Sequence, residues 1–479
     1  MVLEHAIPPV DPLAAFAAFC DQPMAMLLDS ATGEQGGRYS YLAVDPFQVI
    51  KADDAGVTLD GQPVAGDPFT VLEQQLARYP LPTGLGAGRG AGRGPVPFRT
   101  GAVGFLGYEL GRHLERLPTP RPARHGVPDL IIGLYDLIAA FDHTTGQAWI
   151  IASGFPETEP AARWARATAR MRWLKNRLAA TAPLAPTSGP TTGIWTPDLT
   201  PDQYRQRVER ILAYIRAGDI FQANLTHGFS AHRPNTLTPF DLYRRLRCLS
   251  PAPFAACLNC GGGVWLAGAS PERFLAVDSH GRVETRPIKG TRPRGATPEA
   301  DRRLLAELVA STKDRAENLM ITDLMRNDLG RACKIGSISV PSLIEPVSFA
   351  CVHHLVSVIQ GQLLPGCGPV DLLRATFPGG SITGAPKIRA MEIITELETE
   401  RRGPYCGAVA WIGFDQTMDS CITIRTLTLA DNTIIAQAGG GITAESDPEQ
   451  EYQELLTKVG PLLAAAFGDQ DFALAPPGA

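Results

Sequence analysis

The chain has 479 residues and a formal net charge of −5, enough length for a large core or several domains and too little positive charge for a nucleic-acid-binding surface. No apolar run reaches the roughly 20 residues needed to cross a bilayer, and Met1 to Val10 lack the basic start and apolar core of a secretory signal. Nine scattered cysteines fit reduced thiols in the cytoplasm better than a disulfide framework, and Cys257 with Cys260 makes a lone CxxC without a second pair to complete a zinc site.

In chain order, Met24 to Ser30 reads as a strand ending in a turn, Arg38 to Leu42 begins another, and Gly56 to Gly61 reads as a hairpin tip. Residues 84–94 alternate glycine with alanine and arginine and predict a mobile surface loop. Gly101 to Glu109 is a buried strand leading into a turn, and the apolar run Leu130 to Phe141 reads as one central strand. Helical spacing over Pro160 to Ala180 offers Trp164, Met171, Trp173, Leu174 and Leu178 as an apolar face. Residues 182–197, rich in Pro, Thr, Ser and Gly, read as a linker.

Thr200 caps a helix that runs through Tyr204, Val208, Ile211, Leu212 and Ile215 and stops at Gly218. Gly218 to Thr226 follows as turn and strand, with Gln222 inside it. Glu272 lies in Ser270-Pro271-Glu272-Arg273, just past a strand read from Val264 to Ala267. A carboxyl beside a proline turn is usually solvated; burial would raise its pKa and let it act as an acid near neutrality. Glu284 to Gly295 packs three arginines, two prolines and two glycines around Lys289. Pro287 and Pro293 restrict the backbone while Gly290 and Gly295 allow turns, so this stretch is either a solvated basic loop or a stiff mount for one lysine.

Thr297 caps a long helix towards Leu329, striped by Leu304, Leu305, Leu308, Leu319, Ile321 and Leu324, and Lys313 to Met320 lie within it. His353 and His354 point to opposite faces of a strand and cannot serve one site together. Phe377 to Lys387 is a Gly/Pro-rich loop before a helix from Lys387 to Leu397, suited to anion approach, with Ser381 and Thr383 as hydroxyl donors. Tyr405 to Gly413 and Cys421 to Leu429 read as strands. Arg425 sits inside an apolar run, where a guanidinium needs an anionic partner, either a structural carboxylate or a substrate. Gly439, Gly440 and Gly441 offer bare backbone N–H groups. On the last helix Glu451, Glu454 and Lys458 share a face that suits a hard divalent cation and a carboxylate ligand.

Pro287-Ile288-Lys289-Gly290-Thr291 resembles the signature of the aminodeoxychorismate synthase branch of the chorismate-utilising enzymes, a family shared with anthranilate, isochorismate and salicylate synthases. Anthranilate synthases usually read Pro-Ile-Ala-Gly-Thr at this place. The resemblance is loose before the linker and tight from about residue 200 to 460. It implies an α+β fold of two large, mostly antiparallel sheets packed as a sandwich with flanking helices. It divides the chain into an N-terminal region 1–181, the linker 182–197, a catalytic region 198–465 and a tail 466–479, with the two halves interleaved in the fold.

The resemblance also implies roles. The substrate is chorismate. Glu317 and Glu454 hold Mg²⁺ with Glu451 close by, Glu272 protonates the departing C4 hydroxyl, and Lys289 attacks C2. Gln222 stands where water-adding members carry a basic lysine, which points to ammonia as the incoming nucleophile. His354 lies near the ring, and Tyr405, Arg425 and Lys458 bind carboxylates. Ser381, Thr383 and Gly439 to Gly441 complete the substrate site. No glutaminase elbow is visible, so ammonia would come from a separate glutamine amidotransferase subunit, and the product would be 4-amino-4-deoxychorismate for 4-aminobenzoate and folate. Leu27 to Ser30 matches the stretch that shapes a tryptophan pocket in relatives, with Asp29 for the usual glutamate; an ordinary hairpin reads equally well. Two other readings stay open: anthranilate synthase component I, and a non-catalytic tryptophan-binding subunit.

Overall fold

The structure is a computed structural model and describes residues 2–31, 37–82, 96–187, 189, 191–349 and 352–468. The glycine-rich loop at 84–94 and most of the tail lie outside the described residues. Two twelve-stranded sheets form the body, and every strand pair within them is antiparallel. Each sheet draws strands from both sides of residues 182–197. In the first, Met26–Asp29 pairs with Phe254–Asn259; in the second, Gly101–Leu106 pairs with Ala408–Gly413. The two halves of the sequence are therefore interleaved.

Period-two alternation builds three layers. On Ala408–Gly413, Val409 and Trp411 enter the layer between the sheets, while Ala408, Ala410 and Ile412 face the outer helices. On Phe254–Asn259, Ala256 and Leu258 face inward and Ala255 and Cys257 outward, towards the helices Pro201–Arg216, Pro239–Leu249 and Pro448–Phe467. Truncating a fully packed inner residue such as Leu266 to Ala would cost about 2–5 kcal/mol.

Two runs that read as single strands are broken at the passage between sheets. Leu130–Tyr135 belongs to the second sheet and Leu137–Asp142 to the first, with the crossing at Asp136, whose buried carboxylate pairs with Arg166 and Arg170. Met418–Ile422 and Thr426–Ala430 likewise lie in different sheets, and Arg425 sits at the crossing with φ +52°. Apolar periodicity does not register such a crossing, because both halves are buried on both faces. Glu272 occupies a third crossing, between Val264–Ser270 of the first sheet and Arg273–Val277 of the second.

Other expectations are adjusted. The Thr297–Leu329 helix is two helices, Pro298–Ala310 and Thr312–Gly330, because Ser311 leaves helical geometry and its side chain caps the second by accepting from the Asp314 N–H. Leu319 consequently faces solvent, as does Trp164 on Pro160–Ala179. The presumed tip at Gly56 to Gly61 is a strand, Gly56–Leu59, between two turns. Tyr405 lies in the turn before its strand rather than on it. The Thr200 cap and the helix Lys387–Leu397 form as read, and Gln203 completes a capping box with Thr200.

Candidate active site

Lys289 is carried not on a loop but on Ile288–Pro293, the terminal strand of the second sheet. Against Val352–Gln362 the register runs Lys289 to Leu355 and then Thr291 to His354, so Gly290 is an extra, bulged residue with φ +77°. A Cβ there would stand 2.9 Å from both Asp314 Cβ and Leu308 Cδ1, which explains why glycine follows the lysine. The bulge leaves the Lys289 ammonium donating to the Ser381 carbonyl at 3.2 Å. Glu272 is buried at the adjoining crossing, and burial pushes its carboxyl up to about 7, opposed by a hydrogen bond from Ser381 and by the charge of Lys289. A carboxyl with that value is substantially protonated near neutrality and can donate a proton.

The arginines around Lys289 are each taken up by carboxylates: Arg286 by Glu284 at 2.7 Å, Arg292 by Asp314 at 3.3 Å and Arg294 by Asp301 at 2.8 Å. They act as paired braces for the strand rather than as unbalanced charge against the lysine.

Helices Thr312–Gly330 and Pro448–Phe467 bring Glu317, Glu451 and Glu454 towards Lys313, whose ammonium is hydrogen-bonded to Glu451 at 3.0 Å and feels all three carboxylates. Burial raises the Glu317 carboxyl, while Lys289 and Lys313 pull it down. Lys458 holds the Glu454 carboxyl low from 2.7 Å and also donates to the Gly439 carbonyl at 3.1 Å. Glu451 accepts from both Ser446 at 2.6 Å and Lys313 at 3.0 Å on the same oxygen, Oε1. Among the described residues no three His, Cys, Asp or Glu side chains converge into a complete ligand shell. The donor set nevertheless fits Mg²⁺, an ion bound by one or two carboxylates that takes its remaining oxygens from water and ligand. The carboxylates face a cation already, in the form of Lys313.

Arg425 stands half-buried with no carboxylate at ion-pairing distance among the described residues; burial lowers its pKa and Tyr405 opposes that. His354 is buried, its Nδ1 3.0 Å from Thr291 Oγ1 and 3.3 Å from the Gly290 carbonyl, and burial pushes it down to about 4, so the ring is neutral at pH 7. His353 turns the other way, to Ser348 and Asp301.

Gly439, Gly440 and Gly441 are strand residues, paired with Gln222–His232. The Thr226 N–H goes to Glu398 and the Asn224 N–H to the Thr383 carbonyl, away from the glycine strand. Gly439 and Gly441, opposite them, therefore turn their own N–H groups to the other edge, where pairing with Thr426–Ala430 ends at Ala436. Those two N–H groups are exposed to a ligand; that of Gly440 is directed to its strand partner. Thr383 differs from expectation: its hydroxyl donates to the Gly379 carbonyl at 3.0 Å and serves the loop.

Sequence reading missed Lys313, Asn224 and the buried Arg402. Arg402 binds Glu398 at 2.7 Å and donates to the carbonyls of Ile382 and Asn224, tying the Ser381 loop to the Gln222 strand. Asn224 was detectable, two residues from Gln222 on the same strand face. Ser30 lines a separate cavity of about 330 Å³ with Arg38, Tyr41, Pro253, Phe254 and Trp411, and its hydroxyl donates to the Pro253 carbonyl at 3.0 Å.

A family profile described as chorismate binding enzyme matches residues 24–464. The chain is 40% identical to aminodeoxychorismate synthase component 1 of Klebsiella aerogenes, over 94% of this chain and 95% of that one. It is also 40% identical to anthranilate synthase component 1 of Streptomyces coelicolor, over 95% and 86%. The crystal structure of anthranilate synthase component I from Streptococcus pneumoniae superposes with a TM-score of 0.78 at 32% identity, covering 90% of this chain and 93% of that chain. The chain belongs to the chorismate-binding enzyme family. Within it, the chain is of the aminodeoxychorismate/anthranilate synthase component I type.

Proposed function

We propose that the protein is the chorismate-aminating subunit of an aminodeoxychorismate synthase, forming 4-amino-4-deoxychorismate from chorismate and ammonia. The observation that carries this is Lys289, mounted by the Gly290 bulge beside the protonatable Glu272. Arg425 and Tyr405 receive the enolpyruvyl carboxylate, with the N–H groups of Gly439 and Gly441 and the Lys458 ammonium available to the other anionic group. The neutral ring of His354 packs by the substrate ring. Glu272 donates its proton to the C4 hydroxyl, which leaves as water, while the neutral amine of Lys289 bonds to C2 and the ring double bond shifts. Ammonia then bonds to C4, the double bond returns, and the Lys289 amine leaves with the electron pair of its C2 bond. The new C4 ammonium returns a proton to the Glu272 carboxylate. Mg²⁺, when held by Glu317 and Glu454, supplies charge neutralisation at the ring carboxylate.

Ammonia is assigned to a separate glutamine amidotransferase subunit, and the reaction to the cytoplasm. Free thiols at all eight described cysteines suit that compartment, and no described helix is long and apolar enough to cross a membrane. The Ser30 cavity is assigned to tryptophan. A second reading, anthranilate synthase component I, is favoured by the equal identity to the Streptomyces coelicolor protein. One incubation separates them: purified chain, chorismate, Mg²⁺ and ammonium, expected to give aminodeoxychorismate and no reaction when glutamine replaces ammonium. Anthranilate with pyruvate would overturn the assignment in favour of the second reading; glutamine-dependent turnover would remove the separate subunit.

A further inference from the structure

Gln222 is fully buried, and neither its amide oxygen nor its amide nitrogen has a hydrogen-bond partner; the Asn224 Oδ1 is likewise buried and unpartnered. Buried amide acceptors without donors are rare in folded proteins and costly to keep. These two lie side by side, because residues two apart on a strand share a face. Gly441 makes the room: a Cβ there would stand 2.3 Å from Gln222 Nε2 and 3.1 Å from Asn224 Oδ1. The pair is also aimed at the chemistry. Asn224 Nδ2 donates at 3.2 Å to the Ser381 carbonyl, the same oxygen that accepts from Lys289 at 3.2 Å, and the Ser381 side chain is hydrogen-bonded to Glu272.

We infer that Asn224, together with Gln222, forms the seat that holds and orients the incoming ammonia, which makes Asn224 a nucleophile-binding residue. Ammonia carries three N–H donors and one lone pair. To bond to carbon it must aim the lone pair at C4 and leave its N–H groups to be accepted elsewhere, and the two amide oxygens offer those acceptors. Neutral amides take no proton and carry no charge, so they lack the attraction for ammonium, which has no lone pair to give, that a carboxylate would have. The Asn224 carboxamide is fixed in this orientation by its donation to Ser381, so its oxygen is the end left for the ligand. The seat rests on the amination reading above and specifies which side chains receive the nucleophile.

The test is Asn224→Ala and the isosteric Asn224→Asp in the full chain, with ammonium chloride and chorismate as substrates and mass spectrometry of the Lys289 adduct formed without ammonia. Removing one acceptor should raise the KM for ammonia about tenfold. The KM for chorismate should stay unchanged, and the yield of adduct, which forms before ammonia enters, should fall by less than the ammonia-dependent rate, because the Ser381 carbonyl loses one of its two donors and keeps Lys289. Asn224→Asp should be slower still and inhibited by high ammonium, because its carboxylate retains the cation. An ammonia KM within twofold of wild type in Asn224→Ala would overturn the seat, as would a matching fall in adduct formation, which would mark a structural role. Should the wild type give anthranilate, the ammonia comparison stands and only the product assignment fails. A wild type that gives no amine from ammonium would remove both readings.

Discussion

Replacing Glu272 by Gln should move activity and stability in opposite directions. The amide keeps the shape of the side chain and can still meet Ser381, but it has no proton to give to the leaving hydroxyl. Loss of a positioned general acid lowers the rate about 10² to 10⁴-fold, or roughly 3–5 kcal/mol of barrier. The stability term follows from the raised pKa. Burial holds the carboxyl near 7 against an ordinary 4.5, so the folded chain binds this proton more tightly than the unfolded one. Its stability is full below about pH 4.5, declines as pH rises towards 7, and by pH 8 is about 3 kcal/mol lower. Glu272→Gln removes that decline and should be more stable than wild type at pH 8, with little difference at pH 4.5. The assay is chorismate consumption at a fixed concentration of free ammonia, with urea unfolding at both pH values. Wild-type activity should fall above about pH 7 as the carboxyl ionises, and the residual rate of the variant should lack that limb. Glu109 is a necessary control, because burial lifts it to about 7 as well while it accepts the N–H groups of Arg402 and Gly403. A wild-type rate in Glu272→Gln, or a basic limb that persists there and vanishes in Glu109→Gln, would refute the assignment.

Lys289→Ala should lower aminodeoxychorismate formation about a hundredfold or more without abolishing it, since the acid and the carboxylate sites remain; Lys289→Arg should fare no better, because guanidinium stays protonated. Wild-type rates in both, with no lysine adduct by mass spectrometry, would remove its role. Glu317→Gln and Glu454→Gln should weaken Mn²⁺ binding, followed by electron paramagnetic resonance, and raise the Mg²⁺ concentration needed for turnover; unchanged binding in both would refute the ligand assignment. Arg425→Gln should raise the KM for chorismate by about one to two orders of magnitude, as expected for a lost bidentate carboxylate contact, and leave Mn²⁺ affinity intact. A fall in stability with an unchanged KM would instead mark Arg425 as a packing residue.

Much of the local structure is written in the sequence because it depends on neighbours along the chain. The Thr200 capping box, the helix at Lys387 and the shared face of Glu451, Glu454 and Lys458 each follow from residues within a turn or two of one another. The motif around Lys289 was equally legible as chemistry, yet its mount was not. Gly290 reads as a turn residue, and only pairing with Val352–Gln362 makes it a bulge. The crossings at Asp136, Glu272 and Arg425 were hidden for the same reason: a run buried on both faces looks alike whether it stays in one sheet or passes to the other. Sequence could name Glu317, Glu451 and Glu454, whereas the tertiary structure alone set Lys313 among them and left the Gln222 amide and the Asn224 Oδ1 without partners, with Asn224 and Lys289 sharing the Ser381 carbonyl. Periodicity and capping act over a few residues, but charge balance and unmet hydrogen bonds are properties of surfaces that meet only when segments hundreds of residues apart are packed together.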